Sequence, residues 1–185
     1  MSKTILALGD SLCAGFGLPV HSSFISQLQK ALKDKGWSVQ VINAGISGDN
    51  TSGGLYRVDH HLQAEPDLVF LELGINDGAM GHPTQQIQAN LQAIIDKVLA
   101  RGAAIILAGT NLPPEFDTQY RHSFSAIFSS LARMYELPLI PDLLQGVLGN
   151  PDLTLMDGLH PNAQGVQHMV RQALPEVEKA LQQLA

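Results

Sequence analysis

The sequence predicts an α/β fold in which a mainly parallel sheet lies between two layers of helices. Three observations predict it. Short apolar runs alternate with longer segments of helical periodicity along the whole chain, the pattern of successive βα units. The run Leu68-Val69-Phe70-Leu71-Glu72-Leu73 is nearly continuous in apolar residues, as suits a strand buried on both faces of a parallel sheet. The composition, 45% hydrophobic and 15% charged over 185 residues, is that of one soluble globular domain.

Taken in order, Thr4-Ile5-Leu6-Ala7-Leu8 reads as the first strand, broken by Gly9. A helix follows from about Ser22 to Lys35, with Phe24, Ile25, Leu28, Ala31 and Leu32 on one face, Ser22 or Ser23 as N-cap and Gly36 as stop. Val39 to Ile42 is strand two, and Asn43 to Thr51 a polar loop rich in turn residues. A helix over Ser52 to Ala64 ends before Pro66, and strand three runs to Leu73. Gly74-Ile75-Asn76-Asp77-Gly78 ends that strand as a turn. Pro83 opens a helix striped by Ile87, Leu91, Ile94, Ile95, Val98 and Leu99, which Gly102 closes. Ala104 to Ala108 is strand four. The irregular loop Thr110 to Thr118 contains Pro113-Pro114 and precedes a helix from about Gln119 to Tyr135. Leu137 to Ile140 is a short strand whose Pro138 suits a sheet edge. The last helix runs from about Asn162 to Leu184, with a kink expected at Pro175. Right-handed crossovers then favour a three-layer α/β/α sandwich with a flavodoxin-like five-stranded sheet in the order 2-1-3-4-5, a single domain over 1–185.

Composition also excludes. A formal net charge of −6 with scattered Lys and Arg argues against a nucleic-acid partner. The one cysteine, Cys13, cannot form an intrachain disulfide. No stretch reaches the ~18 apolar residues of a membrane span. Met1-Ser2-Lys3 runs straight into the first strand, which fits a cytoplasmic protein as written, or a periplasmic or secreted one whose signal peptide has been removed. Oligomeric state leaves no mark in the sequence.

Chemistry concentrates in four loops: Gly9-Asp10-Ser11, the loop holding Gly48, Gly74-Ile75-Asn76-Asp77, and Asp157-Gly158-Leu159-His160. Alone, the first is a turn with a serine in it, and Asp157 three residues before His160 equally suits a turn cap. A parallel sheet, however, gathers the carboxyl ends of its strands on one rim, where such loops converge. A serine hydroxyl needs a base, which His160 can supply, and Asp157 can fix the imidazole tautomer from the same loop. A tetrahedral oxyanion needs donors; the N–H groups of Ser11 and Gly48 and the Asn76 amide are the candidates. No metal or cofactor is called for.

These blocks resemble the SGNH, or GDSL, hydrolase family. Gly9-Asp10-Ser11, Gly48, Gly74-Ile75-Asn76-Asp77 and Asp157-x-x-His160 match its blocks in order across essentially the whole chain. Asn43-Ala44-Gly45-Ile46-Ser47-Gly48-Asp49 and Phe124-Ser125-Ala126-Ile127 are similar to its bacterial multifunctional thioesterase, arylesterase and lysophospholipase group. The resemblance implies Ser11 as nucleophile, His160 as general base and acid, Asp157 as its partner, and Ser11, Gly48 and Asn76 as the oxyanion hole. The implied reaction is cleavage of a carboxylic ester or thioester of a small acyl substrate. Ile75 departs from the glycine that the closer group often carries, which bears on the substrate cleft rather than on catalysis.

Rival patterns fit less well. An α/β-hydrolase expects Gly-x-Ser-x-Gly, and Cys13 stands where the second glycine would. Gly9, Gly15 and Gly17 miss the spacing of a dinucleotide loop. Cys13 reads as a small buried residue rather than a nucleophile. Adjacent His60 and His61 point apart on a helix and, with His82, read as surface or rim residues rather than metal ligands. Two alternatives remain: a non-catalytic acyl- or glycan-binding module on the same fold, and an esterase for acetylated carbohydrate. Ile75, Met80, Leu112, Phe116, Leu153, Leu155 and Met156 are the expected apolar walls of a substrate cleft, although each equally suits loop packing. Ser11 is expected in a shallow, open site.

Overall fold

The computed structural model describes residues 2–184. Five parallel strands form one sheet in the order β2-β1-β3-β4-β5. They are β1 (Lys3–Gly9), β2 (Val39–Gly45), β3 (Leu68–Glu72), β4 (Ala104–Ala108) and β5 (Leu139–Ile140). The helices are α1 (Ser11–Ala14), α2 (Phe24–Asp34), α3 (Thr51–His61), α4 (Ile75–Ala79), α5 (Thr84–Ala100), α6 (Thr118–Tyr135) and α7 (Ala163–Gln183).

Because strand side chains alternate between faces, each strand feeds two cores. Ile5, Ala7, Leu68, Phe70, Ile106 and Ala108 face α1, α2 and α7. Leu6, Leu8, Val69, Leu71, Ile105 and Leu107 face α3, α5 and α6. The continuous apolar run of β3 is thus explained: all its residues are buried, Glu72 included. β5, only two residues long, pairs with β4 alone and forms one edge. Pro138 lies just outside it.

Local signals set the long helices. Ser23 caps α2 by accepting from the Ser26 N–H, and Asp117 caps α6 by accepting from Tyr120. Asn162 caps α7 by accepting from Gln164 and Gly165. Pro175 stands inside α7 on an exposed position, and the helical run is unbroken to Gln183.

Two short helices differ from the sequence reading. Ser11 opens α1 rather than lying in a plain turn, and Ile75 to Ala79 form α4 rather than a turn closing β3. Both follow directly on strand ends. Asp10 makes the first possible by accepting from the Leu12 N–H, and Gly74 makes the second possible at φ 125°, a conformation that side chains oppose.

Candidate active site

The carboxyl ends of β1, β2 and β3 lie side by side, with Gly9 in register with Gly45 and with Glu72. The three loops beyond them therefore start at one rim. A fourth arrives from the far end of the chain. Thr154 bridges Pro161, and the Leu155 N–H donates to the His160 carbonyl at 2.7 Å, so residues 155–160 form a closed loop. Asn162 fastens that loop from α7 by donating to the carbonyls of Asp152 and Thr154.

This loop brings His160 to Ser11 across 149 positions of sequence: His160 Nε2 lies 3.1 Å from Ser11 Oγ. On the other side of the ring, Nδ1 lies 2.7 Å from Asp157 Oδ2. Asp157 Oδ1 meanwhile accepts from the N–H groups of Leu159, at 2.9 Å, and His160, at 3.0 Å. The turn cap and the histidine partner, alternatives in sequence, are thus both present on one carboxylate. The contact with His160, followed by these backbone donors, holds the Asp157 carboxyl down at about 2. Phe16 stacks against the imidazole, ring centroids 4.3 Å apart.

Of the three expected oxyanion donors, Ser11 and Asn76 line one cavity, whereas Gly48 does not line it and stands beside Asp49, the residue that Asn76 contacts. Ser11 is the first residue of α1, where a helix leaves its N–H groups unpaired. Gly48 holds φ 81° in a turn closed by the Asp49 N–H on the Ile46 carbonyl, a position that favours glycine. Asn76 Nδ2 donates to the Asp49 carbonyl at 2.7 Å and, in a longer contact of 3.3 Å, to Asp10 Oδ2.

Beneath Ser11 lies an acid pair that the sequence reading did not single out. The Asp10 N–H donates to Glu72 Oε2 at 3.2 Å, and Glu72 is 1% exposed with Oε1 unpartnered. Burial drives the Asp10 carboxyl up to about 6 and that of Glu72 well above the ordinary carboxylate range. Cys13 is fully buried beside them, and burial pushes its thiol up, opposite to a thiolate nucleophile. An acid within the apolar run of β3 was the available signal for Glu72.

Ser11 and His160 line a cavity of about 220 Å³. Ser11 itself is only 8% exposed, recessed in the wall of this cavity rather than lying in a shallow, open site. Of the expected walls, Ile75, Leu112 and Phe116 line it. Met80, Leu155, Met156 and Leu153 lie outside it. Met80, at the C-cap of α4, and Met156 point to solvent. Leu155 lines a separate hollow behind the Asp157 loop, and Leu153 packs on the α7 core. The walls the sequence reading missed include Leu12, Ala79, Leu144, Leu148 and Leu159. Among the described residues, no three His, Cys, Asp or Glu side chains cluster as a metal site requires, and no helix is long and apolar enough to cross a membrane.

A hydroxyl, an imidazole and a carboxylate in hydrogen-bonded line, beside backbone and amide donors, define a serine hydrolase. The comparisons agree. The profile of the GDSL-like lipase/acylhydrolase family matches residues 7–168. The chain is 36% identical over 181 residues to "Esterase TesA" of Pseudomonas aeruginosa, covering 97% of this chain and 90% of that protein. It is 37% identical over 162 residues to "Thioesterase 1/protease 1/lysophospholipase L1" of Escherichia coli K12, covering 87% of this chain and 76% of that one. The crystal structure of the psychrotrophic esterase EstA from Pseudoalteromonas sp., inhibited by monoethylphosphonate, superposes with a TM-score of 0.92 at 32% identity, covering 98% of this chain and all of that one. The chain belongs to the GDSL-like lipase/acylhydrolase family, and it is a hydrolase of carboxylic ester or thioester bonds.

Proposed function

We propose that the chain, acting as one hydrolase domain, cleaves acyl esters and thioesters through an acyl-enzyme on Ser11. The observation that carries this reading is the line from Asp157 Oδ2 through the imidazole to Ser11 Oγ, with contacts of 2.7 and 3.1 Å. His160 Nε2 takes the hydroxyl proton as Oγ attacks the acyl carbon, and Asp157 keeps the Nδ1–H tautomer and stabilises the imidazolium. The N–H groups of Ser11 and Gly48 and the Asn76 amide receive the oxyanion. Asn76 keeps one hydrogen on the Asp49 carbonyl; the other, in its long 3.3 Å contact with Asp10, is the one left to be shared with the oxyanion. His160 then returns the proton to the leaving alkoxide or thiolate. Water, deprotonated by the same nitrogen, attacks the acyl-enzyme and releases the acid. The inhibition of EstA by a phosphonate supports the reading, because a tetrahedral phosphorus group resembles this transition state.

The apolar cavity beside Ser11 suits the acyl chain. At roughly 30 Å³ per methylene, taken as about the volume of a water, its 220 Å³ holds about seven of them. Each buried methylene contributes ~0.8 kcal/mol, about fourfold in kcat/KM. A series of p-nitrophenyl esters from acetate to laurate is therefore expected to rise to about the octanoyl ester and then level. In the same assay Ser11→Ala is expected to lose on the order of 10⁶ in kcat, by the subtilisin precedent. Turnover near the wild-type rate in that variant refutes the nucleophile assignment.

A further inference from the structure

Arg57 lies on α3 and is absent from the cavity wall, yet its guanidinium joins the segments that carry the proposed site. Its side chain is 11% exposed, and its partner Asp49 12%. Nε donates to Asp49 Oδ2 at 2.7 Å. Nη2 donates to the Gly9 carbonyl at 2.9 Å, and Nη1 to the Ala44 carbonyl. Gly9 leads into Asp10 and Ser11, and Ala44 into the loop bearing Gly48. Asp49 is the residue whose carbonyl holds the Asn76 amide.

A second observation shows that the Asp49 carboxylate has a place made for it. It lies over the first turn of α3 against Gly53, where a Cβ would come within 1.8 Å of Oδ1. Helix propensity alone disfavours glycine there. Its other contact is the Asn50 N–H, which Oδ1 accepts at 3.0 Å.

We propose that Arg57 is a positioning residue for the oxyanion hole: anchored on the Gly9 and Ala44 carbonyls, it sets the Asn76 amide through Asp49. The proposal rests on the reading of Asn76 as an oxyanion donor. A planar fork spans a carboxylate and two carbonyls at once, whereas the compact ammonium of lysine cannot reach all three. Since Arg57 does not touch the acyl cavity, its effect falls on transition-state stabilisation and not on ground-state binding.

The test compares Arg57→Lys, Asn76→Ala and the double variant on p-nitrophenyl butyrate. Arg57→Lys is expected to lower kcat roughly 10- to 10²-fold, less than outright loss of an oxyanion donor, with KM within about twofold. Because Arg57 acts through Asn76, the double variant is expected to match Asn76→Ala within about twofold. Wild-type kcat in Arg57→Lys, or fully multiplied losses in the double variant, overturns the proposal. If Asn76→Ala keeps wild-type kcat, the oxyanion reading itself fails, and the proposal with it. Gly53→Ala is the second variant, leaving Arg57 in place. It is expected to lower kcat and also the melting temperature, because the new methyl displaces the Asp49 carboxylate from Arg57 and from the Asn50 N–H. Wild-type kcat in that variant also overturns the proposal.

Discussion

Asp157 uses its two oxygens for different work. Oδ1 shapes the turn through two backbone N–H groups, and Oδ2 meets the imidazole. Asp157→Asn separates the two roles, since an amide oxygen can still cap the turn while its NH₂ selects the wrong imidazole tautomer. By the serine-protease precedent this costs about 10⁴ in kcat. Stopped-assay rates should show that loss while circular dichroism shows an unchanged fold; a loss under tenfold contradicts the orienting role. With its carboxyl held near 2, Asp157 contributes stability that is fully present above its ordinary value of 3.8 and disappears as pH falls through about 2. At residue scale the sequence was informative about Ser11, Asn76, Asp157 and His160 because each belongs to a motif with a chemical reason. It was silent about Arg57 and Phe16, which carry no local pattern and matter only through partners distant in sequence.

Among the elements, the long helices and the apolar strands could be read because periodicity and caps are local signals. The four-residue α1 and five-residue α4 could not, because neither is long enough to show a period. They exist through what surrounds them. α1 lies so close to β2 that a Cβ on Gly45 would come within 2.3 Å of the Ala14 N and 2.7 Å of the Cys13 carbonyl carbon. Both contacts are with backbone, so a side chain there must displace α1 and Ser11 with it. Gly45→Ala is therefore expected to destabilise by about 1–3 kcal/mol, the usual cost of overpacking. In a thermal melt that is roughly 2–4 °C per kcal/mol. It should also lower kcat, and an unchanged melt with unchanged kcat means that α1 is not held by this contact. The cavity walls were half legible for the same reason. Ile75 stands inside a motif, and Leu112 and Phe116 lie in the loop that leaves β4, but Leu144 and Leu148 reach the cavity from a loop that no motif marks.

For the molecule as a whole, the strand order and the convergence of the first three loops on one rim followed from the βα alternation and crossover handedness. The loop over 157–160 follows no strand directly and is held by its own bridge and Asn162. What the alternation does not carry is electrostatics. Asp10 and Glu72 are buried together under the nucleophile, and both carboxyls are raised. Between the ordinary Asp value of 3.8 and about 6, the folded chain keeps a proton on Asp10 that the unfolded chain has released. This group's contribution is therefore fully present below 3.8 and lost as pH rises through about 6, and Glu72 extends the loss further up. Glu72→Gln removes one of the two charges. Its melting temperature should fall less than that of the wild type between pH 5 and 8, as calorimetry can check; parallel curves contradict a titrating pair. The central claim, that acyl transfer passes through Ser11, is tested most directly by acid-quenching the enzyme within its first turnover of p-nitrophenyl octanoate and mapping the adduct by mass spectrometry. The account predicts an octanoyl group on the peptide that contains Ser11, at a stoichiometry matching the burst of p-nitrophenol. A burst with the acyl group on another residue, or steady turnover with Ser11 never acylated, contradicts it.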